Sequence, residues 1–256
     1  MSKARAAEAV RVLAFGAGVA DEVLEVLAHA QTTGSDDKST DNPAESLKGT
    51  QTDAAPAASP DPSIALSIYP YPFGGYDWRV LEVQGSQALL LSDKLLEIRE
   101  YHKNREDISW EQCTLRKYLN NDFYNKLPSA DRSRIAKRII QNNDNPWSGT
   151  DGGSDTYDYI FLLSIEEVVR YFGNSGQLKN KNPNSKNSKY RIHDQYNFAR
   201  IARKADGMAS WWWLRSPGRD SSCAAFVHVV GYVDIDGLYV RDNCVAGVRP
   251  ALWLNL

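Results

Sequence analysis

The last 46 residues, Trp211 to Leu256, constrain the fold of this chain more than any other stretch. They read WWWLRSPGRDSSCAAFVHVVGYVDIDGLYVRDNCVAGVRPALWLNL. The pattern Val-x-x-x-Gly occurs twice, Val227 to Gly231 and Val233 to Gly237, and Val240 and Gly247 continue it at a longer spacing. Glycines between short β-branched runs are the signature of tight hairpins, so the segment reads as strands that carry side chains on their turns and on one face. Between the frame positions stand side chains of unrelated chemistry: Arg219, Asp220, Ser221, Ser222 and Cys223; His228, Val229 and Val230; Tyr232; Asp234, Ile235 and Asp236; Leu238 and Tyr239; Arg241, Asp242, Asn243, Cys244, Val245 and Ala246. A catalytic centre would tie such positions to particular chemistry. A binding surface would not.

Composition narrows the class. The chain has 256 residues, 42% hydrophobic and 24% charged, which is ordinary for a globular protein with a substantial core. A net charge of −2 argues against nucleic acid as a partner, because phosphate readers usually carry a strongly basic face. Three cysteines, Cys113, Cys223 and Cys244, show no CxxC spacing and are odd in number, so neither a zinc knuckle nor a disulfide framework is indicated. A reduced, cytoplasmic setting is expected. No uninterrupted apolar run is long enough to span a membrane, and Arg5, Glu8 and Arg11 stand where a signal peptide would be apolar.

Three parts are expected. Residues 32–63 hold Leu47 among many Ser, Thr, Asp, Ala, Pro and Gly, too little apolar surface to offset chain entropy, and read as a flexible linker. Before it, residues 1–31 place Ala6, Val10, Leu13, Ala17, Ala20, Leu24 and Leu27 at heptad-like spacing, a helical element for docking or self-association. Gly16 and Gly18 interrupt that seam, so two helices, or a strand and then a helix, remain open; a dinucleotide-binding turn is disfavoured because Asp21 takes its third glycine position. After the linker comes one domain, residues 64–256.

Within this domain Trp78 to Val83 and Gln87 to Leu91 read as a hairpin turning at Gln84-Gly85-Ser86. Ser109 and Gln112 have the spacing of a capping box for a helix to about Asn121; Ser129 to Ile140 reads as a second helix, and Ser164 to Phe172, with Glu167 three positions after Ser164, as a third. Residues 144–158 read as a polar loop, and residues 173–195 as an exposed excursion. Short strands with segregated helices define an α+β class.

The phrases Trp211-Trp212-Trp213-Leu214-Arg215-Ser216-Pro217-Gly218, Ala224-Ala225-Phe226-Val227 and Gly247-Val248-Arg249-Pro250-Ala251-Leu252-Trp253-Leu254, with Gly75 to Leu81, Trp110 to Leu119 and Ile160 to Ser164 upstream, carry a resemblance. The domain resembles a bacterial and phage family with a C-type lectin fold of the formylglycine-generating-enzyme subtype. Many such proteins are the variable proteins of diversity-generating retroelements. The resemblance implies short antiparallel strands, a few helices and long loops, a variable region at about 211–256, and a ligand-binding surface made of the twenty gap residues. It implies no catalytic residue, no metal and no cofactor; the ligand is an unknown protein or glycan, and association with a phage particle is an alternative to the cytoplasm. The genetic code offers a check. Randomising the adenines of AAC or AAT codons cannot yield Glu, Lys, Gln, Met or Trp. None of these types occupies a gap, although they make up 41 of the 256 residues; chance alone would avoid them in roughly 3% of twenty-residue draws.

Other chemistry is weaker. Enzymatic relatives of the fold oxidise cysteine with copper and a cysteine pair, but Cys223 and Cys244 both fall in gaps, where their identity would be accidental. A fixed-specificity glycan or cell-wall binder is the alternative reading, and it rests on Tyr232 and Tyr239. The histidines, His29, His102, His193 and His228, lack metal-ligand spacing, and nothing fixes Ser216, His228 and an aspartate as a triad. Asp151, Asp155 and Asp158 lack an EF-hand pattern and read as a solvated turn rather than a calcium site. Along a strand, Trp211 to Trp213 would alternate between faces, which marks core on both sides. Arg215 and Arg249 read as structural contacts within the frame; Tyr232, Tyr239, Arg219 and Arg241 are the residue types enriched at binding hot spots.

Overall fold

The computed structural model describes residues 70–180, 190–241 and 246–256. The expected N-terminal element, the linker and the gap residues Asp242, Asn243, Cys244 and Val245 lie outside the described residues. The domain is α+β, dominated by strands. One sheet contains β1 (Tyr71–Phe73), β2 (Tyr76–Gln84), β3 (Gln87–Ser92), β16 (Ala251–Asn255) and β5 (Ile135–Ala136) in that order, with β8 (Ile160–Phe161) also on β16. The second runs β4 (Glu97–Arg99), β15 (Ala246–Val248), β12 (Trp212–Pro217), β13 (Cys223–Val227), β14 (Val233–Tyr239) and β9 (Arg191–Ile192). Every pairing is antiparallel except that of β12 with β15. Two ribbons complete the strands: β6 (Arg138–Ile140) with β7 (Thr156–Asp158), and β10 (Ala202–Arg203) with β11 (Ala209–Ser210).

Local signals explain part of this. The expected hairpin is β2–β3, and Ala88 to Leu91 are buried, a continuous apolar run that pairs with β2 on one side and β16 on the other. The helices are short: α1 (Thr114–Tyr118) passes through a π-helical turn (Leu119–Phe123) into α2 (Tyr124–Lys126), followed by α3 (Ser129–Arg132), α4 (Ile165–Phe172) and α5 (Asn197–Arg200). In α4 the Ser164 hydroxyl accepts from the Glu167 N–H at 3.2 Å and the Glu167 carboxylate accepts from the Ser164 N–H at 2.9 Å, the expected capping box. Ile165, Val168, Val169 and Phe172 form its buried stripe.

Two helix expectations are corrected. The helix near Ser109 begins only at Thr114, capped by the Cys113 sulfur, which accepts from the Arg116 N–H at 3.3 Å. Trp110 is drawn into the core instead, its indole donating to Asp158 at 3.0 Å. The helix expected over Ser129 to Ile140 stops at Arg132, because Ile135 and Ala136 are buried as a strand on β16 and Arg138 to Ile140 pair with β7. Partners distant in sequence override local propensity there.

The sheets share one core around Trp78, Trp110, Trp212 and Trp213. Arg215, 4% exposed, donates to the Leu162 carbonyl at 2.8 Å and the Gln141 carbonyl at 3.1 Å and pairs with Glu167 at 2.5 Å. Arg249, fully buried, donates to the Ser92 carbonyl at 3.0 Å and lies over the Trp212 ring at 5.1 Å. Both are structural, as their places in the frame suggested. No helix among the described residues is long and apolar enough to cross a membrane.

Candidate functional site

The gap residues are organised by one hairpin, β13–β14. At its turn the His228 N–H donates to the Tyr232 carbonyl at 2.9 Å and the Gly231 N–H to the His228 carbonyl at 2.8 Å. Gly231 has φ +86°, and a Cβ there would collide with the Asn197 carbonyl oxygen of α5, so the position needs glycine for two reasons. The second Val-x-x-x-Gly makes no second hairpin. Phe226 pairs with Asp234 but Ala224 with Leu238, so β14 bulges, and Gly237 at φ +75° sits in that bulge against the Ala224 carbonyl.

Register then puts a row of rings on one face. Trp213, Phe226, Asp234 and Arg191 stand opposite one another on β12, β13, β14 and β9. Two residues along each strand, on the same face, come Trp211, His228, Tyr232 and His193. Their rings touch in that order: Trp211 to His228 at 5.1 Å, His228 to Tyr232 stacked at 4.3 Å and 7°, and Tyr232 to His193 edge-on at 6.2 Å. The Arg191 guanidinium lies 4.7 Å over the Tyr232 ring. His228, His193 and Arg191 thus all pack against the Tyr232 ring. Trp212 and Trp213 are core, but Trp211 is only half-buried and packs on Phe226 at 5.3 Å. Beside the turn, Val230 and Phe198 of α5 are 52% and 81% exposed.

Electrostatics differ along this face. Burial, with Asp236 close by, pushes the Asp234 carboxyl up to about 6 against the lowering effect of the Gly237 N–H that it accepts. Burial and the Arg191 charge lower the His228 imidazole, and burial and Asp234 raise the Tyr232 phenol.

The hairpin's other end gathers Arg219, Asp220, Ser221, Ser222, Tyr239 and Arg241. Asp220 accepts from the Ser222 N–H at 3.0 Å and its hydroxyl at 2.7 Å, forming a small turn. Arg219 donates to the Tyr239 hydroxyl at 3.4 Å, and the Arg105 guanidinium lies 3.5 Å over the Tyr239 ring. Arg241 faces Glu100 at 3.7 Å. Behind this end the buried Asn145 amide reaches the carbonyls of Pro217, Gly218 and Ile235 at 2.8 to 3.1 Å and ties turn to bulge.

Of the twenty gap residues, Arg219, Asp220, Val230 and Arg241 are exposed, and Ser221, Ser222, His228, Val229, Tyr232, Asp234, Asp236, Leu238 and Tyr239 are half-buried. Cys223, Ile235 and Ala246 are corrected out of the surface: at 2%, 1% and 0% exposure their side chains belong to the core beneath it. Burial and the Asp220 carboxylate push the Cys223 thiol up to about 11. Arg105, Arg191 and Asn145 were missed in the sequence, and His193 was weighed there only as a metal ligand. No motif marks them, and only the topology brings them to the hairpin.

The remaining candidates disperse. Asp158 is fully buried and paired with Arg116 at 2.7 Å, so the solvated turn expected for it is corrected, while Asp155 and Asp151 accept from the N–H groups of Asn142 and Gly153. Among the described residues no three His, Cys, Asp or Glu side chains gather in metal-holding geometry. Ser216 is buried and accepts from the Ile165 N–H at 3.0 Å, at the end of β12 away from Trp211 and His228.

A β-rich α+β domain whose β13–β14 hairpin has partly exposed ends is thus the class that fold and surface define. The chain belongs to the family described as Domain of unknown function (DUF6273), whose profile matches residues 85–256. Comparison with curated proteins and with solved structures yields no match.

Proposed function

We propose that this chain is a non-enzymatic ligand-binding protein, the variable protein of a diversity-generating retroelement, built on a C-type lectin-like scaffold of the formylglycine-generating-enzyme subtype. One observation carries the reading. Within a single hairpin, the frame residues Ala224 to Val227 are buried while four of the gap residues are exposed and nine half-buried at its ends and along β14. Such a partition lets side chains at the ends change without disturbing the core, as paratopes vary on a constant sandwich. The absence of Glu, Lys, Gln, Met and Trp from the gaps agrees with adenine-directed mutagenesis. Copper-dependent cysteine oxidation needs a pair of reachable thiols, and the Cys223 side chain is 2% exposed within the core. The ligand on this reading is a protein or glycan met in the cytoplasm or from a phage particle, with residues 1–31 as a docking or self-association element.

The test is genomic. The reading expects a near-repeat of the 3′ coding segment with adenines at the gap codons, next to a reverse transcriptase gene. Their absence from the neighbouring DNA would overturn diversification.

A further inference from the structure

The two gap tyrosines stand at opposite ends of the hairpin, and each is overlaid by an arginine from outside the C-terminal segment. Arg105, in the loop between β4 and α1, lies 3.5 Å over Tyr239; Arg191, on β9, lies 4.7 Å over Tyr232. We propose that Arg105 and Arg191 are the constant part of the binding surface, and that the partner is a protein presenting acidic side chains. The inference rests on the binding function proposed above and names its partner class.

Three observations support it. Neither guanidinium has a carboxylate within ion-pair distance among the described residues, whereas Arg219 and Arg241 face Asp220 at 3.3 Å and Glu100 at 3.7 Å. Stacking on a tyrosine holds the guanidinium plane without neutralising its charge. The donors of Arg105 stay available to a carboxylate of the partner, while Arg191 faces Asp234 across β9 and β14 beyond ion-pair distance and contacts Tyr232, and offers its remaining donors. Tyr232 already carries a stacked imidazole and a guanidinium, and Tyr239 carries Arg105 at 3.5 Å and Arg219 at 5.7 Å, which leaves less ring surface for a sugar to stack on. The exposed Val230 and Phe198 beside the turn instead suit an apolar side chain, and Tyr with Arg is the usual composition of a protein hot spot. Because neither arginine lies within residues 211–256, every variant of that segment would keep both.

The test selects a phage-displayed random peptide library on the immobilised full chain. Enriched peptides are then measured on the parent, on Arg105→Gln, Arg191→Gln, Tyr232→Ala and Tyr239→Ala, and on Arg132→Gln, a control on α3. Polygalacturonate serves as the acidic sugar probe. The expected result is enrichment of Asp or Glu next to an apolar residue, affinity lower by about tenfold or more on either arginine variant, and affinity within about twofold of the parent on Arg132→Gln. Peptides without acidic bias, no enrichment, arginine variants that bind like the parent, or arginine-dependent binding of polygalacturonate would each overturn the inference. If the tyrosine variants lose binding and the arginine variants do not, the inference fails and the binding surface stands. If neither set loses binding, both fail. Should a glutamine variant lose its thermal transition, the parent's affinity for the enriched peptides is read against salt in its place: a steep fall with rising ionic strength supports the inference, and an unchanged affinity overturns it.

Discussion

The middle of strand β13 and its two flanks are neighbours in sequence and opposites in physics. Cys223 to Val227 are all buried, a continuous run with β12 on one side and β14 on the other. Arg219 to Ser222 before them and His228 to Val230 after them face solvent wholly or in part. Burial makes stability depend on shape in the middle, where each lost methylene is felt. At the flanks most side chains touch water in the folded and unfolded chain alike, so exchange there changes little but the surface.

Exchanges on either side of that boundary can break the comparison. The largest effect is expected for Trp212→Ala, next to β13 on β12: the ring is fully buried and its indole donates to the Arg200 carbonyl at 3.1 Å. A loss of about 3 to 5 kcal/mol is expected in urea unfolding. Gly231→Val comes next. It forces a branched side chain to positive φ and against the Asn197 carbonyl, for a loss of about 2 to 3 kcal/mol and a shifted turn, read by the same unfolding curves.

Asp234 sharpens the comparison because it is a gap residue half inside the boundary. Its folded carboxyl is pushed up to about 6, above the unfolded value. The folded chain therefore holds the proton more tightly, and the stability this contributes is present at low pH and lost as pH rises through the window from about 4 to 6. Asp234→Asn keeps an acceptor for the Gly237 N–H and cannot ionise. Thermal midpoints across that window should flatten in the variant, and at pH 7 it should be more stable than the parent by about 1 kcal/mol once solvent screening is discounted. Equal pH slopes for variant and parent would contradict the placement. The smallest effects belong to Ser221→Ala and Val230→Ser, each within about 0.5 kcal/mol of the parent in the same assay.

What was legible in the chain was local. The Ser164 and Glu167 capping box, the β2–β3 hairpin and the turn glycine Gly231 depend on residues a few positions apart, and each stands where its pattern pointed. The α+β class followed from them. Illegible were features made by distant partners: Ile135 and Ala136 leave a helical pattern because β16 offers them an edge, and Trp110 leaves a capping pattern for Asp158. Gap and frame were nearly separable by eye; strand alternation from the frame residue Val233 does place Ile235 on the inner face, a signal the gap set overlooked, whereas nothing in the spacing revealed that Ala246 lies under the sheet. The arginines over Tyr232 and Tyr239 could not be read at all, since stacking between residues far apart in the chain leaves no trace in spacing.

The central claim is that the hairpin's flanks carry recognition while its middle carries the fold. Its most direct test exchanges Arg219, Asp220, Ser221, Ser222, Val230, Tyr232, Tyr239 and Arg241 together for other residues reachable from an asparagine codon, then compares thermal midpoint and selected peptide ligands with the parent. The claim predicts a midpoint within a few degrees of the parent and a different set of ligands. Loss of the cooperative transition, or retention of the parent's ligands at parental affinity, would contradict it.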